Sequence, residues 1–242
     1  RGLEVVASRA ADVWYVMPAV HNPWGWTMTA AKREQALQAA VLIEDDAYAD
    51  LCFDTSAPRP LLADAPHKTF AIGTFSKTVS PGLRVGWLVA PQPWRGKLRE
   101  AKARRDVQAG GLAQAIVERL IARGNFDERL DRLRAHYRER CERLLELLPR
   151  LQSIRFGLPE GGFSVWVETE AVESDERLLA RALARGVAFD PGTIFRAEPH
   201  QHSTLAFRLS FSAVPVEKMQ EGVARLAGAL SEARSAKRPA VA

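Results

Sequence analysis

The chain has 242 residues, of which 47% are hydrophobic and 26% charged, so its composition is that of a folded globular protein with a substantial core. It carries 34 lysines and arginines against 29 aspartates and glutamates, which gives a net charge of +5. The basic residues are dispersed among acidic ones in predicted helices, a pattern typical of a solvated surface. We therefore expect no direct nucleic-acid binding by this segment.

The sequence contains no pattern typical of a membrane span, a signal peptide or a cysteine-based metal site. No apolar run reaches the roughly 18 residues of a membrane span, and the first residues lack the layout of a signal peptide, so we expect a cytoplasmic protein. Cys52 and Cys141 lie far apart without metal-ligand spacing, which predicts reduced, semi-buried thiols and no metal site. The chain begins at Arg1 rather than at a methionine, and we expect it to be the later part of a longer polypeptide.

Short apolar runs in the N-terminal part predict β-strands. They lie at 13–17, 41–44, 69–73 and 84–90. Because the runs are continuous rather than alternating, the strands are predicted to be buried on both faces. A helical segment at 27–40, with Thr29 as N-cap, makes a strand–helix–strand unit with the first two runs. This part of the chain is predicted to be an α/β sheet with ligand chemistry at its strand ends.

From Trp94 onwards the pattern is helical. Amphipathic segments lie at 94–108 and 111–124, and the second ends on Gly124 as a C-cap. A longer helix is predicted over 127–148, because apolar side chains recur there at spacings of three and four. That stripe consists of Leu130, Leu133, Tyr137, Cys141, Leu144 and Leu148.

The remaining chain alternates strands and helices. Strands are predicted at 161–168 and 205–212, and helices at 175–186 and 215–230, the last with Pro215 near its first turn. We predict two domains from this pattern. Residues 1–130 form the remainder of a large domain, and 131–242 form an interdomain helix and a smaller α/β domain, with a disordered tail at 231–242.

The stretch GTFSKTVSPGLR, residues 73–84, places a lysine just past a strand end. Partial burial beside Arg84 would prepare Lys77 to form a Schiff base. The hydroxyls of Thr74 and Ser76, together with the guanidinium of Arg84, could hold a phosphate group. Taken alone, however, the stretch fits a surface lysine in a Ser/Pro/Gly turn better.

Two polar motifs follow other predicted strands. In EDDAY, the Asp45 carboxylate could pair with a buried cation and the Tyr48 phenol could donate to an oxyanion. The alternative is an acidic first turn of a helix. In HNPWG, the amide of Asn22 is placed to donate to a ligand, the alternative being a plain turn.

Arg208 lies inside the otherwise apolar strand FRLSFS. A buried arginine needs a partner anion, and none is adjacent in sequence. A ligand carboxylate is one candidate for that anion, and a cross-strand ion pair is equally good.

In this order along the chain, HNPWG, EDDAY, TFSKTVSPGLRVG, GGFSVW, DPGTIF and FRLSFS resemble the class I/II aminotransferases, pyridoxal phosphate enzymes of fold type I. The resemblance covers nearly all of the sequence. It implies the aspartate aminotransferase-like α/β fold, with part of the large cofactor-binding domain as a mixed, mostly parallel sheet and a smaller α/β C-terminal domain. It also implies amino acid and 2-oxo acid substrates and a homodimer.

The resemblance further implies roles at the reacting end of the cofactor. Lys77 matches the lysine that forms the Schiff base and shuttles the proton. Asp45 matches the aspartate that pairs with the pyridine nitrogen and keeps the ring protonated. Tyr48 and Asn22 match the residues that hydrogen-bond the phenolic oxygen.

At the other end, Thr74 and Arg84 match the phosphate ligands, with Ser76 as a lesser candidate. Arg208 matches the arginine that binds the α-carboxylate of the substrate, with Asn22 beside it. Gripping that carboxylate orients the bond to be broken.

The sequence departs from the family pattern where Trp24 replaces the usual threonine between Pro23 and Gly25. The segment between Arg33 and Glu44 is also shorter, and the early half of the large domain is missing.

An alternative function is that of the aminotransferase-like effector domain of a MocR-type (GntR family) transcriptional regulator. Such a protein would bind DNA only through a domain upstream of Arg1. A scaffold without cofactor is disfavoured, because every matched position is retained.

Overall fold

The computed structural model describes residues 12–54, 57–170, 173–196 and 204–237. These residues form two compact units. The first unit consists of the described residues up to His21 together with Trp26–Arg134, and the second consists of Asn22–Gly25 and the described residues from Ala135 onwards.

A four-stranded sheet forms the centre of the first unit. Its strands lie side by side in chain order: β1 (Val13–Val16), β2 (Val41–Asp45), β3 (Thr69–Thr74) and β4 (Gly86–Val89). The pairs β1–β2 and β2–β3 are parallel, and β4 is antiparallel to β3. The predicted mixed, mostly parallel sheet is confirmed.

Helix α1 (Ala30–Ala36) connects β1 and β2 and confirms the predicted strand–helix–strand unit. The Thr29 hydroxyl accepts a hydrogen bond from the backbone N–H of Lys32 at 3.4 Å, as an N-cap does. Ala36 is fully buried in a cluster with Val16 of β1 and the central strand β2. Burial of this apolar stripe ties the helix to the sheet.

The prediction that every strand of this sheet is buried on both faces is wrong for the edge strands. All four residues of β4 are exposed, among them Trp87 with 40% of its surface accessible. On β1, Val13 is 50% and Tyr15 56% exposed. A continuous apolar run shows that both faces of a strand can be buried, but burial also needs a neighbouring element on each face. Among the described residues, no element covers the exposed side chains of β1 and β4.

Four further helices of the first unit are α2 (Leu61–Asp64), α3 (Arg95–Asp106), α4 (Gly111–Ala122) and the start of α5 (Phe126–Leu147). The sequence did not predict α2. It begins where the buried Glu44 carboxylate accepts hydrogen bonds from the N–H groups of Leu61 and Leu62, at 2.6 and 2.8 Å. After α4, Gly124 has φ of +73°, as expected of the predicted glycine cap.

The predicted stripe of α5 packs inward. Leu130, Cys141, Leu144 and Leu148 are buried, and Leu133 and Tyr137 are partly buried. The two units divide within this helix, between Arg134 and Ala135.

The second unit contains an antiparallel sheet. Its strands are β5 (Ile154–Phe156), β6 (Ser164–Glu170), β7 (Asp190–Pro191) and β8 (Thr204–Ser210), in the spatial order β5-β6-β8-β7. Helices α6 (Asp175–Ala184) and α7 (Val216–Lys237) follow β6 and β8 in the chain. The sequence predicted β6, β8 and both helices, whereas β5 and β7 are too short to show a pattern.

The predicted disordered tail is wrong over residues 231–237, because α7 continues to Lys237. Ala233 is 1% exposed and extends the apolar stripe that includes Leu226 and Leu230. Arg234 donates to the carbonyl of Gln152, which ties this turn to the unit. The rest of the predicted tail, 238–242, lies outside the described residues.

No disulfide joins the two cysteines, and both are buried, whereas the sequence predicted semi-buried thiols. Burial, and secondarily the charge of Glu142, raises the pKa of Cys141 to about 12. Throughout the described ranges, no helix combines the length and apolar character needed to cross a bilayer.

Candidate functional site

Asp45 ends β2, and hydrogen bonds hold both of its carboxylate oxygens. Oδ1 accepts from the backbone N–H of Ala47 at 2.9 Å, and Oδ2 accepts from the hydroxyl of Tyr15. Partial burial raises the pKa of Tyr15 above its ordinary value, and the hydrogen bond and charge of Asp45 raise it further. Sequence reasoning missed Tyr15, because only the parallel register of β1 and β2 places it beside Asp45.

Tyr48 and Lys77 meet in the first unit. Tyr48 packs against a small buried cluster of Ala19, Val20 and Cys52. The ammonium nitrogen of Lys77 lies 5.6 Å from the centroid of the Tyr48 ring, within the range of a cation–π contact. The structure therefore brings together two predicted site residues that follow different strands.

The hydroxyl groups of the predicted phosphate site also meet. Thr74 Oγ1 lies 2.9 Å from Ser76 Oγ and accepts from the Ser76 backbone N–H at 3.1 Å. Arg84 is exposed, has φ of +53°, and donates to the carbonyl of Pro81 at 3.3 Å. In the part of the chain that the structure describes, no hydrogen bond joins Arg84 to either hydroxyl.

Two arginines of α5 hold the loops that follow Lys77 and Tyr48. Arg129 donates from Nε to the carbonyl of Thr78 at 3.0 Å and from Nη2 to that of Val79 at 3.3 Å. Arg134 donates from Nε to the carbonyl of Asp50 at 2.9 Å. No pattern in the sequence predicted these contacts, because arginines in a charged helix are typical of a solvated face.

Asp46, next to Asp45, lies in an acidic environment. Burial and, secondarily, the nearby carboxylates of Glu44, Asp45 and Asp50 raise its pKa to about 7, and Arg33 opposes the shift. Near neutral pH this carboxyl group is therefore partly protonated.

His21 precedes the predicted turn and stacks on Trp26, with the ring centroids 5.2 Å apart. Burial lowers the pKa of His21 to about 4, and the positive charge of Lys32 contributes. The imidazole is therefore neutral at physiological pH.

In the second unit, Arg208 of β8 contacts Asn22 and Asp190. Its Nη1 donates to Asn22 Oδ1 at 2.6 Å, and its Nε and Nη2 donate to Asp190 Oδ2 at 3.0 and 2.8 Å. The cross-strand ion pair that the sequence left open is therefore present, with Asp190 as the anion. Asp190 was not identified from sequence, because β7 is only two residues long.

The turn Asn22–Gly25 ends on a glycine in the left-handed region of backbone conformation. Gly25 has φ of +73°, and a Cβ atom there would lie 2.7 Å from the side chain of Pro159. The unusual Trp24 packs against Trp166 of β6, with the ring centroids 5.8 Å apart. The bulkier side chain is thus accommodated by a ring contact with β6.

Known proteins resemble the chain over most of its length. A family model described as aminotransferase class I and II matches residues 7–226. A 2-aminoadipate transaminase of Thermus thermophilus is 37% identical over 238 residues, which are 94% of this chain and 59% of that protein. The uncharacterised HTH-type transcriptional regulator YisV of Bacillus subtilis is 33% identical over 217 residues, 86% of this chain and 44% of the regulator. The chain thus spans about half the length of these relatives.

Among solved structures, the α-aminoadipate aminotransferase LysN of Thermus thermophilus, complexed with N-(5′-phosphopyridoxyl)-L-leucine, is similar with a TM-score of 0.88. It is 34% identical, and the match covers 97% of this chain and 63% of LysN. The fold is therefore aspartate aminotransferase-like, with the mixed sheet and the smaller α/β unit expected from sequence. From its sequence match and its fold, the chain belongs to the aminotransferase class I and II family.

Proposed function

We propose that this chain is the part of a pyridoxal phosphate-dependent aminotransferase that carries Lys77 and Arg208. Such an enzyme transfers an amino group between an amino acid and a 2-oxo acid. The observation that carries the proposal is the contact of Lys77 with Tyr48. It places an amine against a phenol in the same unit as the carboxylate of Asp45, at the ends of parallel strands, where α/β sheets bind ligands.

The side chains of the first unit have the chemistry that pyridoxal phosphate requires. Lys77 supplies an amine for its aldehyde, and Asp45 a carboxylate for its ring nitrogen. The adjoining hydroxyls of Thr74 and Ser76 suit a phosphate group, for which Arg84 adds a cation on the same loop. These residues therefore fit the cofactor.

When bound, pyridoxal phosphate supplies a carbonyl that condenses with amines and a ring that accepts the electron pair released on breaking the Cα–H bond. In this proposal Nζ of Lys77 would anchor the cofactor and carry the proton. Asp45 supplies negative charge at the ring nitrogen, and Tyr15 and Ala47 hold its carboxylate in place. The hydroxyl of Tyr48 would hydrogen-bond the phenolic oxygen.

Arg208 binds the substrate α-carboxylate in this proposal. Its side chain is 20% exposed, and Asn22 and Asp190 accept hydrogen bonds from its guanidinium, which fixes the orientation of that group. A fixed guanidinium orients the carboxylate and with it the Cα–H bond.

A second candidate function is that of the effector domain of a MocR-type regulator. The observation that favours it is the 33% identity to the B. subtilis HTH-type regulator, which exceeds this chain in length. In that case the same residues would bind cofactor and an amino acid, and DNA would be bound only by another segment of the protein.

The test uses the full-length protein loaded with pyridoxal phosphate. We expect amino-group transfer from a panel of amino acids to 2-oxoglutarate, and its loss on Lys77→Ala. No turnover across the panel, together with promoter binding that responds to an amino acid, would refute the enzyme and establish the regulator.

We further propose that the protein acts in the cytoplasm as a homodimer. The resemblance to the class I/II aminotransferases implies a homodimer, and light scattering of the full-length protein should give twice the mass of one chain. A monomeric mass would refute the dimer.

A further inference from the structure

Asp190 and Arg208 stand directly opposite each other on the antiparallel strands β7 and β8. A single carboxylate oxygen, Oδ2, accepts from both Nε and Nη2 of the guanidinium. Within the described residues, Oδ1 makes no hydrogen bond, and the Asp190 side chain is 42% exposed. Asp190 thus binds one side of the guanidinium and remains in contact with solvent.

Other residues hold the remainder of the guanidinium. Nη1 donates to Asn22, and Cζ of Arg208 lies over the ring of Phe195, 4.8 Å from its centroid. A guanidinium has five N–H donors. The three bonds described leave one N–H on Nη1 and one on Nη2, so a ligand carboxylate can bind there without displacing Asp190.

We propose that Asp190 is a positioning residue for Arg208, which fixes the orientation of the guanidinium and also weakens its affinity for a ligand carboxylate. This inference rests on the proposed role of Arg208 in substrate binding. The positioning follows from the two hydrogen bonds to Oδ2, and the weakening follows from charge, because Asp190 and the ligand carboxylate repel each other.

The size of the charge effect can be bounded. A carboxylate bound to Nη1 and Nη2 would lie roughly 6 Å from that of Asp190, and at a half-exposed site the repulsion corresponds to about three- to tenfold in Kd. In the proposed reaction the amino acid or 2-oxo acid must leave the site after each transfer of the amino group, so a moderate affinity for its carboxylate suits turnover.

Two substitutions separate the effects. Asp190→Asn keeps an oxygen that accepts from Nε and Nη2 but removes the charge, whereas Asp190→Ala removes both. The measurement is calorimetric titration of the full-length, cofactor-loaded protein with 4-methylpentanoate, which has the carboxylate and side chain of leucine but no amino group.

We expect Asp190→Asn to bind this probe about three- to tenfold more tightly than the wild type, with the gain shrinking at high salt. Asp190→Ala should bind at least about threefold more weakly than Asp190→Asn, because Nε and Nη2 of its guanidinium have lost their acceptor on β7. An Asn variant that binds no more tightly than the wild type overturns the charge effect. Equal affinities of the Ala and Asn variants overturn the positioning.

Arg208→Ala distinguishes this inference from the function on which it rests. It should abolish measurable binding of the probe. Wild-type affinity in that variant would overturn both the proposed substrate role of Arg208 and the inference about Asp190. Failure of the Asp190 variants alone leaves the role of Arg208 intact. If Asp190→Ala does not fold, the Asn variant still decides the charge effect.

Discussion

Lys77 Nζ lies 5.6 Å from the centroid of the Tyr48 ring, although the two residues follow different strands of the sheet. The carbonyls that Arg129 and Arg134 bind lie in the loops directly after these two residues. One helix therefore supports the loops that follow the aromatic ring and the amine.

Lys77→Ala should abolish the visible absorbance of the full-length protein purified with pyridoxal phosphate, because no other group of the proposed site offers an amine. The control is Lys102→Ala, since Lys102 is an exposed lysine of α3 paired with Asp106. An absorbance band that survives Lys77→Ala and equals that of the control would contradict the assignment of Lys77.

Arg208→Ala should raise KM for the amino acid by about 100-fold or more while the visible band of the cofactor remains, because the guanidinium binds substrate and not cofactor in this proposal. Arg155→Ala, which removes an exposed arginine of β5, should leave KM unchanged. Equal KM values for the two variants would refute the carboxylate role.

Arg129→Ala should destabilise the protein by about 1–3 kcal/mol, because it leaves the carbonyls of Thr78 and Val79 without their partly buried donor. Arg132→Ala serves as the control. Arg132 is one turn further along α5, is 68% exposed, and lies 3.9 Å from Glu128, so its loss should cost no more than about 0.5 kcal/mol. Urea denaturation of both variants measures the difference, and equal midpoints would contradict the support of the Lys77 loop by Arg129.

Because of His21, the free energy of unfolding should fall as the pH decreases from 6.5 to 4. Its pKa is about 4 in the folded chain against 6.5 in the unfolded chain, so over this range the unfolded state binds a proton that the folded state does not. The contribution lost is about 1–3 kcal/mol. Thermal unfolding of His21→Phe should show a shallower loss between these pH values, and an unchanged slope would refute the burial of a neutral imidazole.

Asp46 should act in the opposite direction. Its pKa is about 7 in the folded chain against 3.8 unfolded, so the folded state holds a proton between these values and loses stability as pH rises through them. Asp46→Asn should therefore be about 1–2 kcal/mol more stable than the wild type at pH 8 and nearly equal to it at pH 4. Asp12→Asn, at an exposed position, should show no such gain. The same urea midpoint for Asp46→Asn and the wild type at pH 8 would contradict the shift.

The elements with a local signal were predictable. Continuous apolar runs gave β1 to β3, Thr29 gave the start of α1, and Gly124 gave the end of α4. These signals lie within a few residues of the structure they specify, as propensity and capping do. The prediction of a disordered tail was wrong at 231–237, because the small and basic residues there show no apolar periodicity. Burial of Ala233 against the rest of the unit extends the helix through this segment.

By itself, the sequence determined the family, the fold and the residue types of the candidate site, because these depend on local patterns and on the order of motifs. Only the tertiary structure decided which side chains meet. Tyr15 reaches Asp45 through the register of parallel strands, and Asp190 faces Arg208 across an antiparallel pair. Such partners are set by strand pairing between residues distant in sequence, and no pattern along the chain encodes that register.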